Sequence, residues 1–221
     1  MKICAIRSRP ATATWCFRLL GSCLIVVGWA TLAAGQTAPH VVQVEEQWEL
    51  VVATPDPDSS GPQVTTVISP VGNVTGVHAA LELNQQSLPE FTPGGLQLQV
   101  WTNELPLAYR QFPAPAVMAT PGEHVVWTQS LVLSDGKLTF EIRDGQSASW
   151  GSFGGQGYLK AAVCTELDSL NQYDPAVSVA NSGVGYAANR VQSLVLKGVR
   201  VTLSTGEVLE DNTARVVHQQ Q

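Results

Sequence analysis

Hydrophobic and polar residues alternate with a period of two along most of the chain after residue 40, which is typical of β-strands with one buried face. No segment shows the 3.6-residue period of a convincing amphipathic helix. About ten such strands predict an all-β fold, an antiparallel two-sheet β-sandwich of the jelly-roll or concanavalin-like type. The apolar phase of the strands predicts the core residues Trp48, Leu50, Leu81, Leu98, Trp127, Leu133, Phe140, Ile142 and Val163.

Three breaks in the alternation predict turns and bulges. Asp135-Gly136 separates two alternating segments and predicts a tight hairpin, and Asp144-Gly145 predicts the end of the following strand. The alternation slips by one residue at Lys197-Gly198, which indicates a β-bulge. The segment from 105 to 122 contains four prolines, so we expect an irregular crossing between the sheets.

The first 35 residues have the layout of a secretory signal peptide, with basic residues, then an uncharged apolar run at 19–34, then small residues at Ala33 and Gly35. We predict a signal peptide over 1–35 and a single β-sandwich domain over 36–221. An uncleaved leader acting as a membrane anchor is the alternative, although the run is shorter than the roughly 20 residues of a spanning helix. A lipoprotein-like Leu20-Gly21-Ser22-Cys23 is interpreted as accidental, because the apolar run continues beyond it.

The charge balance excludes some classes of partner. The leader holds four of the chain's 12 basic residues and none of its 18 acidic ones. The predicted domain is therefore more acidic than the full chain, whose formal net charge is −6. It repels phosphates and anionic lipid, so we expect no nucleic-acid partner and no stable membrane insertion after leader cleavage. We expect a secreted or periplasmic cell-envelope protein in which Cys164, the one cysteine outside the leader, forms no disulfide.

No motif has the pattern of a catalytic or metal site. The histidines lack zinc-site spacing, and Gly145 to Ser149 lacks the last glycine of a nucleophile elbow. Glu141 and Asp144 lie three residues apart on one strand and point to opposite faces, so they cannot flank one bond as a glycosidase pair does unless the strand ends between them. A surface carboxylate accounts better for Glu141. We expect no catalytic residue, no metal and no cofactor, which favours a protein that is not an enzyme.

Two polar loops carry weaker signals of a binding or modification site. Residues 56–61 cluster oxygen ligands as a calcium loop does, but they lack a downstream glutamate, and an Asp-Pro turn accounts for them. Asn73-Val74-Thr75 is a formal acceptor for N-glycosylation, which requires a glycosylating secretory pathway. The leader does not decide whether such a pathway is used.

Three aromatic residues are candidates for ligand contacts. Trp101 shares its phase with Gln97 and Gln99 on the polar face of its strand. Tyr158 is out of phase with the apolar residues of the strand that follows it, and Trp150 lies in a glycine-rich loop. An aromatic ring beside amide and hydroxyl groups is suited to stacking on a sugar ring. The alternative is that Trp150 closes one end of the sandwich as a core residue.

The segment from Trp127 to Gly145 has a tryptophan-led strand, an Asp-Gly turn and an apolar strand that ends in Asp-Gly. It resembles part of a laminin-G or concanavalin-A-like sandwich, of the lectin type. The resemblance implies a jelly roll with a binding role, but His124 precedes the tryptophan where the family has a histidine directly after it. No calcium-site residue carries over. The whole chain is also similar to exported bacterial proteins.

These observations favour an exported, non-catalytic β-sandwich that binds a glycan or another ligand, with a polysaccharide or an envelope component as its partner. The alternative is a structural protein of the cell envelope or an extracellular interaction protein. A glycan hydrolase ranks third, because no acid and base groups share one strand face. A sandwich hosts many functions, so the fold alone does not decide between them.

Overall fold

The computed structural model describes residues 38–53, 63–83, 95–103, 105–113 and 120–220. Within the chain, Pro39–Gln221 forms one compact unit. The predicted signal peptide over 1–35 and the oxygen-rich loop at 56–61 lie outside the described residues.

The described residues form thirteen strands, one α-helix and a 3-10 turn at Ala188–Arg190, so the predicted all-β fold is confirmed. In chain order the elements are β1 (Val41–Val52), β2 (Gln63–Ile68), β3 (His78–Leu83), β4 (Gly95–Thr102), β5 (Leu105–Pro113), β6 (His124–Ser134), β7 (Lys137–Ser147), β8 (Gly151–Phe153), β9 (Lys160–Cys164), α1 (Pro175–Asn181), β10 (Gly183–Tyr186), β11 (Val191–Leu203), β12 (Val208–Asp211) and β13 (Arg215–Gln219).

The strands form two antiparallel sheets, as predicted. Sheet A has eight strands in the order β12-β11-β1-β6-β7-β8, with β13 also paired to β11 and β9 to β7. Sheet B has five strands in the order β10-β2-β3-β4-β5. The strand number exceeds the expected ten because β8, β10 and β12 have only three or four residues. Such short strands show too little alternation to be found in the sequence.

The core lies between the sheets and is filled by the apolar phase of their strands. Trp48 on β1 is directly opposite Trp127 on β6, and their rings stack with centroids 6.3 Å apart. Eight of the nine predicted core residues are buried, and Val163 is partly buried against the same cluster. The period-two pattern therefore identified the core correctly.

Two of the three predicted breaks are confirmed. Asp135 and Gly136 have φ values of 50° and 69° and join β6 to β7, as a primed hairpin turn requires. Gln47 pairs with Gly198 while Trp48 pairs with Leu196, so Lys197 is the extra residue of a bulge in β11.

The prediction that Asp144-Gly145 ends a strand was wrong. Strand β7 continues to Ser147, and the pair forms a bulge opposite Trp127 on β6. Gly145 is required there because an added Cβ would overlap the ring of Phe153. An Asp-Gly pair permits a positive φ, but the residue packed against it decides between a bulge and a turn.

The expected irregular crossing after Leu105 was also wrong in its first half, which is strand β5. This strand lies at the end of sheet B, where prolines are tolerated because one side of an edge strand needs no hydrogen-bond partner. Pro106 and Pro113 therefore did not exclude a strand.

The structure adds a helix that the sequence pattern did not reveal. Helix α1 has seven residues, begins with Pro175, and is capped by Asp174, whose carboxylate accepts a hydrogen bond from the amide of Ala176 at 2.8 Å. Seven residues are too few to establish a 3.6-residue period. Within the described ranges, no helix is long and apolar enough to cross a membrane.

Cys164 is disulfide-bonded in the full chain. The expectation of an unpaired thiol applies to the chain after loss of the leader and stays a prediction. The other three cysteines, at positions 4, 16 and 23, lie outside the described residues.

Candidate functional site

Trp101 lies near the end of β4 and lines an open cleft at one end of sheet B. It is half-buried and directly opposite His78 on β3. Gln97 and Gln99, which were expected on an exposed polar face, are buried instead, so that expectation was wrong. Alternation assigns residues to opposite faces of a strand, but it does not reveal whether the polar face is covered. The cleft has a volume of about 730 Å³ and is lined by Val74, Thr75, His78, Trp101 and Asn103.

Trp150 and Tyr158 are half-buried and do not line this cleft. The ring of Trp150 meets that of Phe153 edge to face at 6.1 Å and packs against the core. The ring of Tyr158 stacks on Phe112 at 4.9 Å, and its hydroxyl accepts a hydrogen bond from the amide of Gly154 at 2.8 Å. The structure therefore does not join the three predicted aromatic residues in one site, and their role as ligand contacts stays a prediction.

A polar cluster that the sequence did not reveal lies between the two sheets around Glu46. This residue is on β1, and its carboxylate is fully buried. The Oε1 atom of Glu46 accepts hydrogen bonds from the hydroxyl of Tyr173 at 2.8 Å and from Oγ of Ser178 at 2.5 Å. The Oε2 atom accepts one from the indole nitrogen of Trp48 at 3.1 Å. Strand β1, the segment before α1, and α1 itself therefore converge on a single carboxyl group.

Gln129 extends this cluster onto the neighbouring strand. It lies on β6 directly opposite Glu46, which places the two Cβ atoms about 4.5–5.5 Å apart. Its Oε1 atom accepts a hydrogen bond from the hydroxyl of Thr66 in sheet B at 2.9 Å. Its buried Nε2 atom has no hydrogen-bond partner among the described residues. A carboxyl group and an uncommitted amide donor therefore lie side by side.

Burial raises the pKa of Glu46 to about 7, because the loss of hydration outweighs the hydrogen bonds from Ser178, Tyr173 and Trp48 and the positive charge of Arg215. The carboxyl therefore changes its protonation state near neutral pH. Burial and the charge of Glu46 raise the pKa of Tyr173, so its hydroxyl remains a proton-bearing donor.

Glu123 is a second fully buried carboxylate, and its contacts indicate a different role. Its Oε1 atom accepts hydrogen bonds from Oγ of Ser147 at 2.6 Å and from the amide of Ser149 at 3.1 Å. Oγ of Ser147 in turn accepts a hydrogen bond from the amide of Trp150 at 3.1 Å. These contacts hold the turn that carries Trp150, so Glu123 positions a loop.

The described residues contain no group of three or more His, Cys, Asp or Glu side chains that could hold a metal ion. His124 pairs with Glu49 at 3.3 Å, and His218 contacts the carbonyl oxygen of Val191 at 3.1 Å.

No family model matches the chain, and no curated protein matches it. Two similar solved structures are crystal structures of scytalido-glutamic peptidase, one with a transition-state analog inhibitor and one with a peptide-based transition-state analog. The first is 10% identical with a TM-score of 0.40 and covers 80% of this chain and 84% of that chain. The second is 11% identical with a TM-score of 0.37 and covers 80% and 83%. Likeness this low transfers neither fold nor activity.

Both of these structures are of a peptidase, which runs against the expectation of a non-catalytic sandwich that binds glycans or serves as an envelope component, but at this TM-score they assign no activity to this chain. In the sequence, acid and base groups on one strand face would have indicated an enzyme. Glu46 and Gln129 lie opposite each other on two strands, and no local pattern relates them. The laminin-G resemblance is not tested by these structures and stays a prediction.

Proposed function

We propose that this chain is an exported hydrolase that uses Glu46 as its general acid and base to cleave an amide or ester bond. One observation carries the proposal: a buried carboxyl with a pKa of about 7 lies directly opposite an amide nitrogen that has no hydrogen-bond partner among the described residues. A group whose pKa is close to the working pH can both accept and return a proton during one reaction. A donor that is not committed elsewhere can stabilise charge that develops on a substrate.

The two residues have complementary roles in the proposed reaction. The ionised carboxylate of Glu46 takes a proton from a water molecule as the water oxygen forms a bond to the carbonyl carbon. The Nε2–H of Gln129 donates a hydrogen bond to the resulting oxyanion. Glu46 then returns the proton to the leaving nitrogen or oxygen as its bond to carbon breaks, which restores the carboxylate.

Thr66 and Tyr173 support these roles by fixing orientation. The hydrogen bond from the hydroxyl of Thr66 occupies Oε1 of Gln129, so the amide presents its nitrogen away from that contact. The hydroxyl of Tyr173 holds Oε1 of Glu46. Both are positioning residues and have no role in proton transfer.

Glu46 is fully buried, so the proposed reaction requires the protein to open before substrate can reach it. Substrate access requires the segment from Tyr173 to Ser182 to move away from sheet A. Few polar contacts oppose that movement, namely those of Tyr173 and Ser178 to Glu46 and the hydrogen bond from the amide of Val67 to Oγ of Ser182 at 2.9 Å.

The test is hydrolysis of unfolded casein and of p-nitrophenyl acetate by the protein secreted from the full-length chain, between about pH 4 and pH 8. We expect Glu46→Gln to reduce kcat/KM by roughly 100-fold or more and Gln129→Ala by a similar factor. Glu123→Gln is the matched control, since it alters a buried carboxylate outside the site. Equal loss in the control, or no hydrolysis of either substrate by the wild type, would refute the proposal.

Export is part of the same proposal and is supported by the layout of residues 1–35. Cleavage after Gly35 gives a protein that begins at Gln36. The mass of the protein recovered from the culture medium or the periplasm tests this. Recovery only from membranes, with Met1 still present, would instead support the anchored alternative.

A further inference from the structure

The loop between β2 and β3 presents the chain's one N-glycosylation sequence, Asn73-Val74-Thr75, at its surface. Asn73 is exposed, and the loop is held by hydrogen bonds of its own: Oγ of Ser69 donates to the carbonyl oxygen of Asn73 at 2.5 Å and accepts from the amide of Val71 at 3.4 Å. The acceptor asparagine is therefore both accessible and fixed in position relative to the sheet.

The side chain of Asn73 is oriented by Thr75. The hydroxyl of Thr75 donates to Oδ1 of Asn73 at 2.7 Å, and the amide of Thr75 donates to the same oxygen at 3.1 Å. Neither bond uses Nδ2, which is the atom that is glycosylated. The hydroxyl that the sequence motif requires is thus already bonded to the amide group that would react.

The cleft beside this loop offers a surface that fits a sugar ring. Val74 and Thr75 form part of its lining, so a group attached to Asn73 starts at its edge. The half-buried indole of Trp101 offers an apolar surface for the C–H groups of a sugar, and the amide of Asn103 offers donors and an acceptor. The lining contains no Asp, Glu, Lys or Arg among the described residues, which suits a neutral ligand.

We infer that Asn73 is an N-glycosylation site and that the first sugar of its glycan lies in the cleft against Trp101. Nδ2 of Asn73 forms a bond to the anomeric carbon of a sugar carried on a lipid diphosphate. The bond between that carbon and the diphosphate oxygen breaks, the lipid diphosphate leaves, and the Nδ2 proton passes to a base of the transferring enzyme. The cleft thus holds the protein's own modification, independently of the proposed hydrolase site.

The first experiment tests attachment. The full-length chain is secreted from cultured human cells, and its intact mass is measured before and after treatment with peptide N-glycosidase. We expect one glycan, its removal by the enzyme, and its complete loss in Thr75→Ala. An unmodified wild-type protein, or a glycan that persists in Thr75→Ala, overturns the assignment of Asn73.

The second experiment tests whether the first sugar lies in the cleft against Trp101. The melting temperature is compared between the glycosylated protein and the same protein after enzymatic removal of the glycan. We expect the glycan to raise the melting temperature of the wild type and of Trp150→Ala by similar amounts. We expect a smaller rise for Trp101→Ala and for the milder Trp101→Phe. An equal rise in melting temperature in all four proteins overturns the placement of the first sugar against Trp101. A rise that is lost in Trp150→Ala as well shows that the effect is not specific to Trp101 and also overturns that placement.

Discussion

Glu46 places a carboxyl group between the two sheets, where burial raises its pKa from 4.5 to about 7. The folded state therefore holds this proton more tightly than the unfolded state does. The contribution of this bound proton to the free energy of unfolding is fully present below about pH 4.5 and is lost as the pH rises through about 7. The size of the effect is roughly 3 kcal/mol over that range.

Glu46→Gln replaces the carboxyl by a group that does not titrate. We expect the difference in free energy of unfolding between the wild type and this variant to fall by roughly 3 kcal/mol from acidic to alkaline pH. Urea unfolding of both proteins at about pH 4.5 and pH 8 measures it. A difference that does not change with pH would contradict the burial of an ionisable group at this position.

Glu49 provides a control of opposite sign on the same strand. Burial opposes its ionisation, but hydrogen bonds from His124 and Lys197 outweigh burial and lower its pKa. Its contribution to stability is therefore present above the unfolded pKa and is lost as the pH falls through the folded pKa. We expect Glu49→Gln to destabilise the protein at neutral pH and to differ less from the wild type in acid.

Gly145 lies where the ring of Phe153 packs closely against the backbone, which leaves no room for a side chain. Its added Cβ would overlap the ring of Phe153, which is buried in the core. We expect Gly145→Ala to cost about 1–3 kcal/mol in the free energy of unfolding, measured in urea. Gly183→Ala is the control, because nothing lies within 4 Å of its added Cβ. Equal stability of the two variants would indicate that Phe153 does not pack against this backbone.

At the scale of elements, the hairpin of β6 and β7 depends on two consecutive residues with positive φ, Asp135 and Gly136. We expect Gly136→Val to cost about 1–2 kcal/mol or more, because a side chain in this conformation clashes with the following carbonyl oxygen. Asp135→Asn should be tolerated, since asparagine also adopts positive φ. Thermal melts of the two variants compare these costs, and a stable Gly136→Val protein would exclude this turn geometry.

Helix α1 depends on its cap, because seven residues make few hydrogen bonds of their own. We expect Asp174→Ala to weaken the helix by about 0.5–2 kcal/mol and to speed hydrogen exchange in the segment over Glu46. Amide exchange in the central strands β1 and β6 serves as the internal control and should not change. Exchange that remains slow in α1 would show that its packing, and not the cap, keeps the segment closed.

At the scale of the whole molecule, one core joins both sheets. Trp127 stacks on Trp48 within it, and the hydrogen bond from Thr66 to Gln129 crosses from sheet to sheet. We expect Trp127→Ala to cost about 3–5 kcal/mol and the two sheets to unfold together. Coincident unfolding curves by far-ultraviolet circular dichroism and by tryptophan fluorescence would demonstrate this. Separate transitions would show that the sheets unfold independently.

The sequence by itself determined the features that depend on neighbouring residues. Alternation with a period of two identified the strands and nearly all of the predicted core, because side chains on a strand point to alternate faces whatever the strand pairs with. Asp135-Gly136 identified a hairpin and Lys197-Gly198 a bulge through conformations that few residues adopt. These features require no knowledge of the rest of the chain.

Only the tertiary structure decided which polar residues meet. Tyr173 and Ser178 are 127 and 132 positions from Glu46, and no local pattern relates them. Gln97 and Gln99 have the phase of exposed residues, yet they are buried. Sheet order, strand register and the covering of a face are set by the balance of burial and hydrogen bonding over the whole molecule. For that reason the buried carboxyl became visible only once the strands were paired.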